Sequence, residues 1–297
     1  MAVQKPPATD PSRPSTMHNS WSARLVGPLE EAPWLEKAST TVMGWLQPLL
    51  DHPQAGRYKD LLHGRWLGHA LHPVMVDLPI GFWTSAMLLD LVGARKSARL
   101  LTAAGCAGAV GAAATGIADW SATAGRERRL GMLHAILNVS ALALQVASLP
   151  SRRHYRMLSW SGSTLATMSA YLGGELVFGR GQMVDHDAWT SGPESWTPTC
   201  KETEVADEKA KVVKVAGRNV LLYRHGTSIS AMEDACTHAG GPLHEGKIEN
   251  GVVTCPWHGS QFSLRDGACR RGPATYPQLR LQARVREGVV EVRGRRG

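Results

Sequence analysis

CTHAGGPLHEG (Cys236 to Gly246) and CPWHGSQFS (Cys255 to Ser263) decide the reading of this 297-residue chain, with sixteen residues between His238 and Cys255. Together they supply two thiolates and two imidazoles, a full ligand set for one small metal centre. A structural Cys2His2 zinc site is the alternative, because its spacing rules overlap these. Zinc asks only for four ligands. It does not ask for Gly240, Gly241, Pro242, Pro256 and Gly259 in the turns. Two loops that close over an inorganic core and offer backbone N–H groups to it do.

The two segments resemble the cluster-binding loops of the Rieske iron–sulfur family, C-x-H and C-x-x-H. In that family two Cys hold one iron of a [2Fe–2S] cluster and two His hold the other. The resemblance implies Cys236 and Cys255 on the first iron and His238 and His258 on the second. It implies that Gly241, Pro256, Trp257, Ser260 and Pro273 surround the cluster, Pro273 from a third loop, Gly272-Pro273-Ala274-Thr275. High-potential members add one Cys to each loop, joined as a disulfide; Gly241 and Trp257 stand there. Their sulfur-bonding Tyr is Phe262, while Ser260 is retained. Fewer hydroxyl donors imply a potential in the lower or middle part of the Rieske range of about −150 to +300 mV. The loops look closer to Rieske ferredoxins and to the electron-entry domains of ring-hydroxylating oxygenases. Only a short tail follows His258, where an oxygenase carries a mononuclear iron domain, so the expectation is a chain that is not an oxygenase by itself.

Around the loops, Lys211 to Val215, Asn219 to Tyr223, Ser228 to Glu233, Val252 to Cys255, Leu279 to Val285 and Val289 to Val292 are short β-prone runs with turn residues between them. They predict a small antiparallel β domain over 203–294.

The preceding region reads as membrane. Charged residues are an ordinary 20% overall, which hides the local pattern. Leu100 to Ala118, Gly131 to Leu149 and Met157 to Gly174 contain no Asp, Glu, Lys or Arg, and Val74 to Gly93 contains only Asp77 and Asp90. Runs of about 18–20 residues are enough to cross a hydrocarbon layer. The fold expected is therefore α + β in two domains: a four-helix transmembrane bundle within 60–180 (spans near 74–93, 100–118, 131–149 and 157–178), then the β domain. Buried soluble helices are the alternative. Gly105, Gly108, Gly111 and Gly116 suit close helix approach in lipid. Leu67 to Trp83 and Tyr171 to Phe178 resemble a family of uncharacterised bacterial four-helix membrane domains, a likeness that brings no established activity.

Four spans put His69, His72, Asp77, Asp119, His134 and Glu175 on one side. Ionisable groups in spans usually face a bundle interior, so these six form a candidate polar site for a quinone, a haem or a proton; snorkelling to the interface is the plainer reading. Residues 1–33 read as a disordered arm and 34–58 as an amphipathic, interfacial helix. Residues 181–202 read as a flexible linker spanning on the order of 25 Å.

Basic residues flanking the spans are nearly balanced between the two sides. The loops lack the disulfide of externally placed relatives, and disulfides need an oxidising compartment. The β domain is therefore expected on the cytoplasmic face of the cell membrane. The net charge of +8 suits anionic lipid, and no nucleic-acid motif is present. The function expected is single-electron transfer between a redox donor and a protein or quinone acceptor, as a component of an oxidoreductase system. A transporter or redox sensor with the cluster as its regulatory module is the competing class. Oligomeric state is not legible.

Overall fold

The computed structural model describes residues 21–50, 52 and 54–294. The chain forms two compact units that meet in sequence between Arg180 and Gly181.

The first unit is helical. Among the described residues it holds α1 (Trp21–Glu30), α2 (Pro33–Leu50), α3 (Ala55–Leu62), α4 (Leu71–Leu91), α5 (Arg95–Ser121), α6 (Gly125–Ser148) and α7 (Tyr155–Gly174), which runs into a π-helical turn, Glu175–Gly179. α4, α5 and α6 are long and apolar enough to cross a membrane. α7 is not among them: Ser159, Ser161, Ser163 and Ser169 dilute its apolar character. The expected four spans thus become three helices of membrane-crossing length and hydropathy beside a fourth that is Ser-rich.

α4 packs along α5 and α6 along α7, with α5–α6 and α4–α7 contacts completing the ring. Small residues set the α4–α5 separation. A Cβ on Gly105 would lie 2.4 Å from the Trp83 ring, and one on Gly108 2.8 Å from Leu78 Cβ. Buried polar side chains tie the pairs together. Arg156 Nε donates to Asp90 Oδ2 at 2.6 Å, and Gln145 Nε2 to Ser163 Oγ at 3.0 Å.

Two expectations change before α4. Residues 1–20 lie outside the described residues, but Trp21–Glu30 of the expected disordered arm is helical, with Val26 buried against Leu130 and Leu172. The expected amphipathic helix over 34–58 is broken into α2 and α3. Its buried stripe is Leu35, Ser39 and Met43, whereas Trp45 and Leu49 are exposed. Ion pairs from α6 hold this layer: Arg129 Nη1 donates to Glu36 Oε2 at 2.7 Å, and Arg126 to Glu31 at 3.1 Å.

The second unit is antiparallel β, in two sheets. The larger, in order β1-β10-β9-β4-β3-β2, comprises β1 (Thr197–Lys201), β10 (Val289–Gly294), β9 (Arg280–Arg286), β4 (Ser228–Glu233), β3 (Arg218–His225) and β2 (Ala210–Val215). The smaller, β5-β6-β7-β8, comprises β5 (Lys247–Glu249), β6 (Val252–Thr254), β7 (Gln261–Ser263) and β8 (Cys269–Arg271). Strand alternation serves two cores at once. Val220 and Leu222 of β3 face Leu281, Val290 and Val292, while Leu221 faces Val253, Phe262 and Leu264 under the ligand loops.

The expected flexible linker is a correction. Thr197–Lys201 of that segment is β1, paired with β10. Upstream of it, Gly294 N–H donates to Pro193 O at 2.7 Å and His186 N–H to Thr237 O at 3.0 Å. Trp196 is capped by the guanidinium groups of Arg284 and Arg293, 4.2 and 4.7 Å from its ring centre. A stretch without periodicity is held here by discrete contacts.

Candidate metal centre

The two ligand loops are the same turn built twice. The first follows β4 and the second follows β6. Cys236 N–H donates to Gly241 O at 2.9 Å, and Gly240 N–H returns to Cys236 O at 2.7 Å. In the second loop Cys255 N–H donates to Ser260 O at 2.8 Å, and Gly259 N–H to Cys255 O at 3.1 Å. Gly240 and Gly259 both take the left-handed conformation that closes the turn, with φ of 75° and 77°. The turn aims amides at sulfur: His238 and Ala239 N–H at Cys236, and Trp257 and His258 N–H at Cys255.

The turns bring all four candidate ligands together. Cys236 and Cys255 are buried and within hydrogen-bonding reach of one another. Burial pushes the Cys236 thiol well up, and the thiol's hydrogen bond to Cys255 pulls Cys255 down. The His238 and His258 rings lie 4.9 Å apart at 86°.

An imidazole centroid sits about 3.2 Å from a metal bound at about 2.05 Å. Two imidazoles on one tetrahedral ion thus have centroids about 5.2 Å apart, close to the 4.9 Å here. Among the described residues, no three His, Cys, Asp or Glu side chains group as ligands for a single ion. The donors are paired two and two, a sulfur pair and a nitrogen pair. That pattern fits a binuclear [2Fe–2S] cluster, with one pair for each iron.

Neighbouring residues fix the loops. A Cβ on Gly241 would stand 2.9 Å from Cys255 Sγ and 3.0 Å from the Trp257 ring, so the position is closed to side chains. Ser260 Oγ accepts from Ala274 N–H at 3.0 Å, tying the second loop to the third one, which carries Pro273. Pro256 and Trp257 form the turn between Cys255 and His258, and Trp257 packs on the core beneath. Phe262 is fully buried in that core. The imidazoles differ: His238 is 5% exposed, whereas His258 is only half-buried.

Several residues escaped the sequence reading. Asp234 brackets the first loop, taking His244 N–H at 2.8 Å and His244 Nδ1 at 2.7 Å. His244 was inside the quoted segment, yet its partner precedes it. Gln278 Oε1 accepts Thr237 N–H at 3.1 Å between the two ligands of the first loop, and its Nε2 donates to Asp187 Oδ2 at 2.8 Å. Asp187 also receives Arg218 at 3.2 Å, while Arg218 Nε reaches Glu233 at 3.0 Å. Burial, with Glu233 adding to it, raises the Asp187 carboxyl to about 7, and burial raises Glu233 as well.

The six candidate residues of the helical unit separate. Asp119 accepts from His63 Nδ1 at 2.9 Å, a partner with no local sequence signal. Glu175 lies 3.7 Å from Arg180. His69 turns to its own backbone at Ala70 O, 3.0 Å away. Asp77 is exposed on α4. Only His72 and His134 meet, with ring centroids 6.4 Å apart.

Comparison with known proteins agrees with both halves. Residues 195–286 match the Rieske [2Fe-2S] domain family, and residues 68–186 match a family described as Predicted membrane protein (DUF2231). Ferredoxin CarAc of Metapseudomonas resinovorans is 32% identical over 100 residues, covering 33% of this chain and 94% of that protein. The anthranilate 1,2-dioxygenase ferredoxin subunit of Burkholderia cepacia is 34% identical over 98 residues, 33% of this chain and 90% of that one. A solved complex of reduced oxygenase and oxidized ferredoxin in carbazole 1,9a-dioxygenase aligns over 34% of this chain and 95% of the matched chain, at 31% identity and a TM-score of 0.32. The paired ligand loops, the two-sheet domain beneath them and the two ferredoxin relatives together make the chain a member of the Rieske [2Fe–2S] family, with an N-terminal region that matches the DUF2231 predicted membrane-protein model.

Proposed function

We propose that this chain carries single electrons at the cell membrane, through a [2Fe–2S] cluster held by Cys236, Cys255, His238 and His258. The observation that carries the reading is the two-and-two pairing of donors in twin turns. Such a cluster accepts and releases one electron at a time. The protein's part is to hold two thiolates against amide N–H groups, which favours the anionic ligand set. It also excludes water from one side with Phe262, Leu243 and Val253. His258, the more exposed imidazole, is the exit for the electron; His238 is too covered to share that role.

The donor and acceptor are redox proteins, as for the ferredoxin relatives, or a membrane quinone. α4 to α7 form a four-span multi-pass anchor, the Ser-rich α7 being shielded from lipid on its α6 side. The β domain faces the cytoplasm, where a reducing environment suits Cys200 and Cys269 as thiols outside any disulfide. Phe262 offers no hydroxyl to the cluster, which supports a low-to-middle potential. Electron paramagnetic resonance of the reduced full-length protein tests the cluster: a Rieske-type signal is expected and is lost in Cys236→Ser. A preparation that binds zinc and gives no signal overturns the reading. Quinol-dependent reduction in liposomes then separates a quinone from a protein partner.

A further inference from the structure

The helical unit contains a repeated histidine station that the cluster does not use. His72 is in the first turn of α4, and its Nδ1 lies 2.9 Å from Ala112 O and 3.2 Å from Thr115 Oγ1 on α5. His134 is on α6, and its Nδ1 lies 2.8 Å from Ser169 O and 2.9 Å from Ser169 Oγ on α7. In each case a glycine stands four residues after the carbonyl. A Cβ on Gly116 would lie 2.8 Å from His72 Cε1, and one on Gly173 3.2 Å from His134 Cε1. Each helical hairpin therefore presents one histidine in the same way, pinned to its own partner helix over a glycine.

The hydrogen bonds fix the chemistry. A carbonyl only accepts, so each Nδ1 carries the proton and each Nε2 carries a lone pair. Ligating histidines adopt this arrangement, with the second ring nitrogen donating to a backbone carbonyl. Nδ1 is taken up by the partner helix, which leaves Nε2 as the nitrogen for a ligand. At His134 that lone pair accepts from Asn138 Nδ2 at 3.0 Å, a contact that ligation replaces.

The spacing selects the ligand. With a centroid about 3.2 Å from the metal, two imidazoles on opposite sides of one ion lie about 6.4 Å apart, against about 5.2 Å for a tetrahedral site. The His72–His134 centroids are 6.4 Å apart with planes at 86°. Trans imidazoles leave four equatorial positions, which a planar macrocycle fills. A quinone is less well matched, since its carbonyls need donors and both Nε2 atoms are acceptors.

We propose that His72 and His134 are the axial ligands of one non-covalently bound haem in the helical bundle, a cofactor class built elsewhere from side chains on facing helices.

The test uses the full-length protein purified in detergent from cells supplied with a haem precursor, then titrated with hemin. The cluster's paramagnetic signal in the same sample reports the β domain separately. The expected result is about one haem per chain with the narrow absorption bands of a six-coordinate low-spin iron. His72→Ala and His134→Ala should each lose those bands at least about tenfold with the cluster signal kept. His72→Met, which still offers a ligand, should shift the bands rather than abolish them, and His154→Ala, just before α7, should leave them unchanged. Protein with an intact cluster signal that neither retains haem nor takes up hemin overturns the proposal. So do bands that survive both alanine variants.

Discussion

Asp187→Asn should make the β domain more stable above neutral pH and flatten its pH dependence. Asp187 is buried with 4% of its side chain exposed, and its carboxyl is raised from 3.8 to about 7 by burial and by Glu233, against the pull of Arg218. A group raised in the folded state binds more protons folded than unfolded between those two values. Its stabilising contribution is complete below about pH 4 and lost as pH rises through about 7. At about 1.4 kcal/mol per pH unit the gap corresponds to about 4 kcal/mol as a ceiling. The half-exposed Arg218 can follow the charge, so about 2 kcal/mol of loss between pH 5 and 8 is the working expectation. The amide keeps the acceptor for Gln278 without the charge. Urea midpoints read from the cluster's visible circular dichroism, at pH 5, 6, 7 and 8, measure it. Glu233, also raised by burial, remains in the variant and leaves a shallower slope. Wild type and variant that lose stability in parallel over this range would refute the assignment of the slope to Asp187.

Gly241→Ala should empty the cluster site, because its Cβ falls 2.9 Å from Cys255 Sγ; iron per chain and visible absorbance check it, and full occupancy would contradict the close approach. Phe262→Tyr should raise the midpoint potential. A hydroxyl that favours the reduced cluster by about 1 kcal/mol is worth about 40 mV for one electron. Redox titration reads it, and an unchanged or lower potential means the hydroxyl does not reach sulfur. Arg156→Ala should lower the thermal midpoint of the helical unit in detergent. It leaves Asp90, 1% exposed, without its guanidinium partner, at about 2 kcal/mol for a buried charge left unpaired beside half-exposed Arg156.

The ligand loops were legible because the chemistry is local: each loop carries its Cys, its His and its turn glycine within a few residues. The long strands were legible by alternation, but β5, β7 and β8, each three residues, are too short to show it. What sequence hid is long-range pairing. Asp119 meets His63, and Thr237 meets Gln278, across 56 and 41 residues. Asp187 and Trp196 sit in a stretch without periodicity, so their role depends on partners the local pattern cannot name. The histidines of the bundle were visible as residue types, but the shared carbonyl–glycine station behind each one exists only once the helices pair.

The corrected connector changes what kind of electron carrier this chain can be. A free segment of about 20 residues would let a cluster range over tens of ångströms between partners. Here the helical unit holds on through Arg180, ion-paired with Glu30, while the β domain takes hold at His186, whose N–H meets Thr237 O at 3.0 Å. Only 181–185 lie between those anchors, six Cα–Cα steps or at most about 20–22 Å of chain when fully extended. The second anchor is placed on Thr237, between Cys236 and His238, so the connector ends on the ligand loop itself. A connector held at Thr237 leaves a far shorter free segment than the roughly 20 residues read from the sequence.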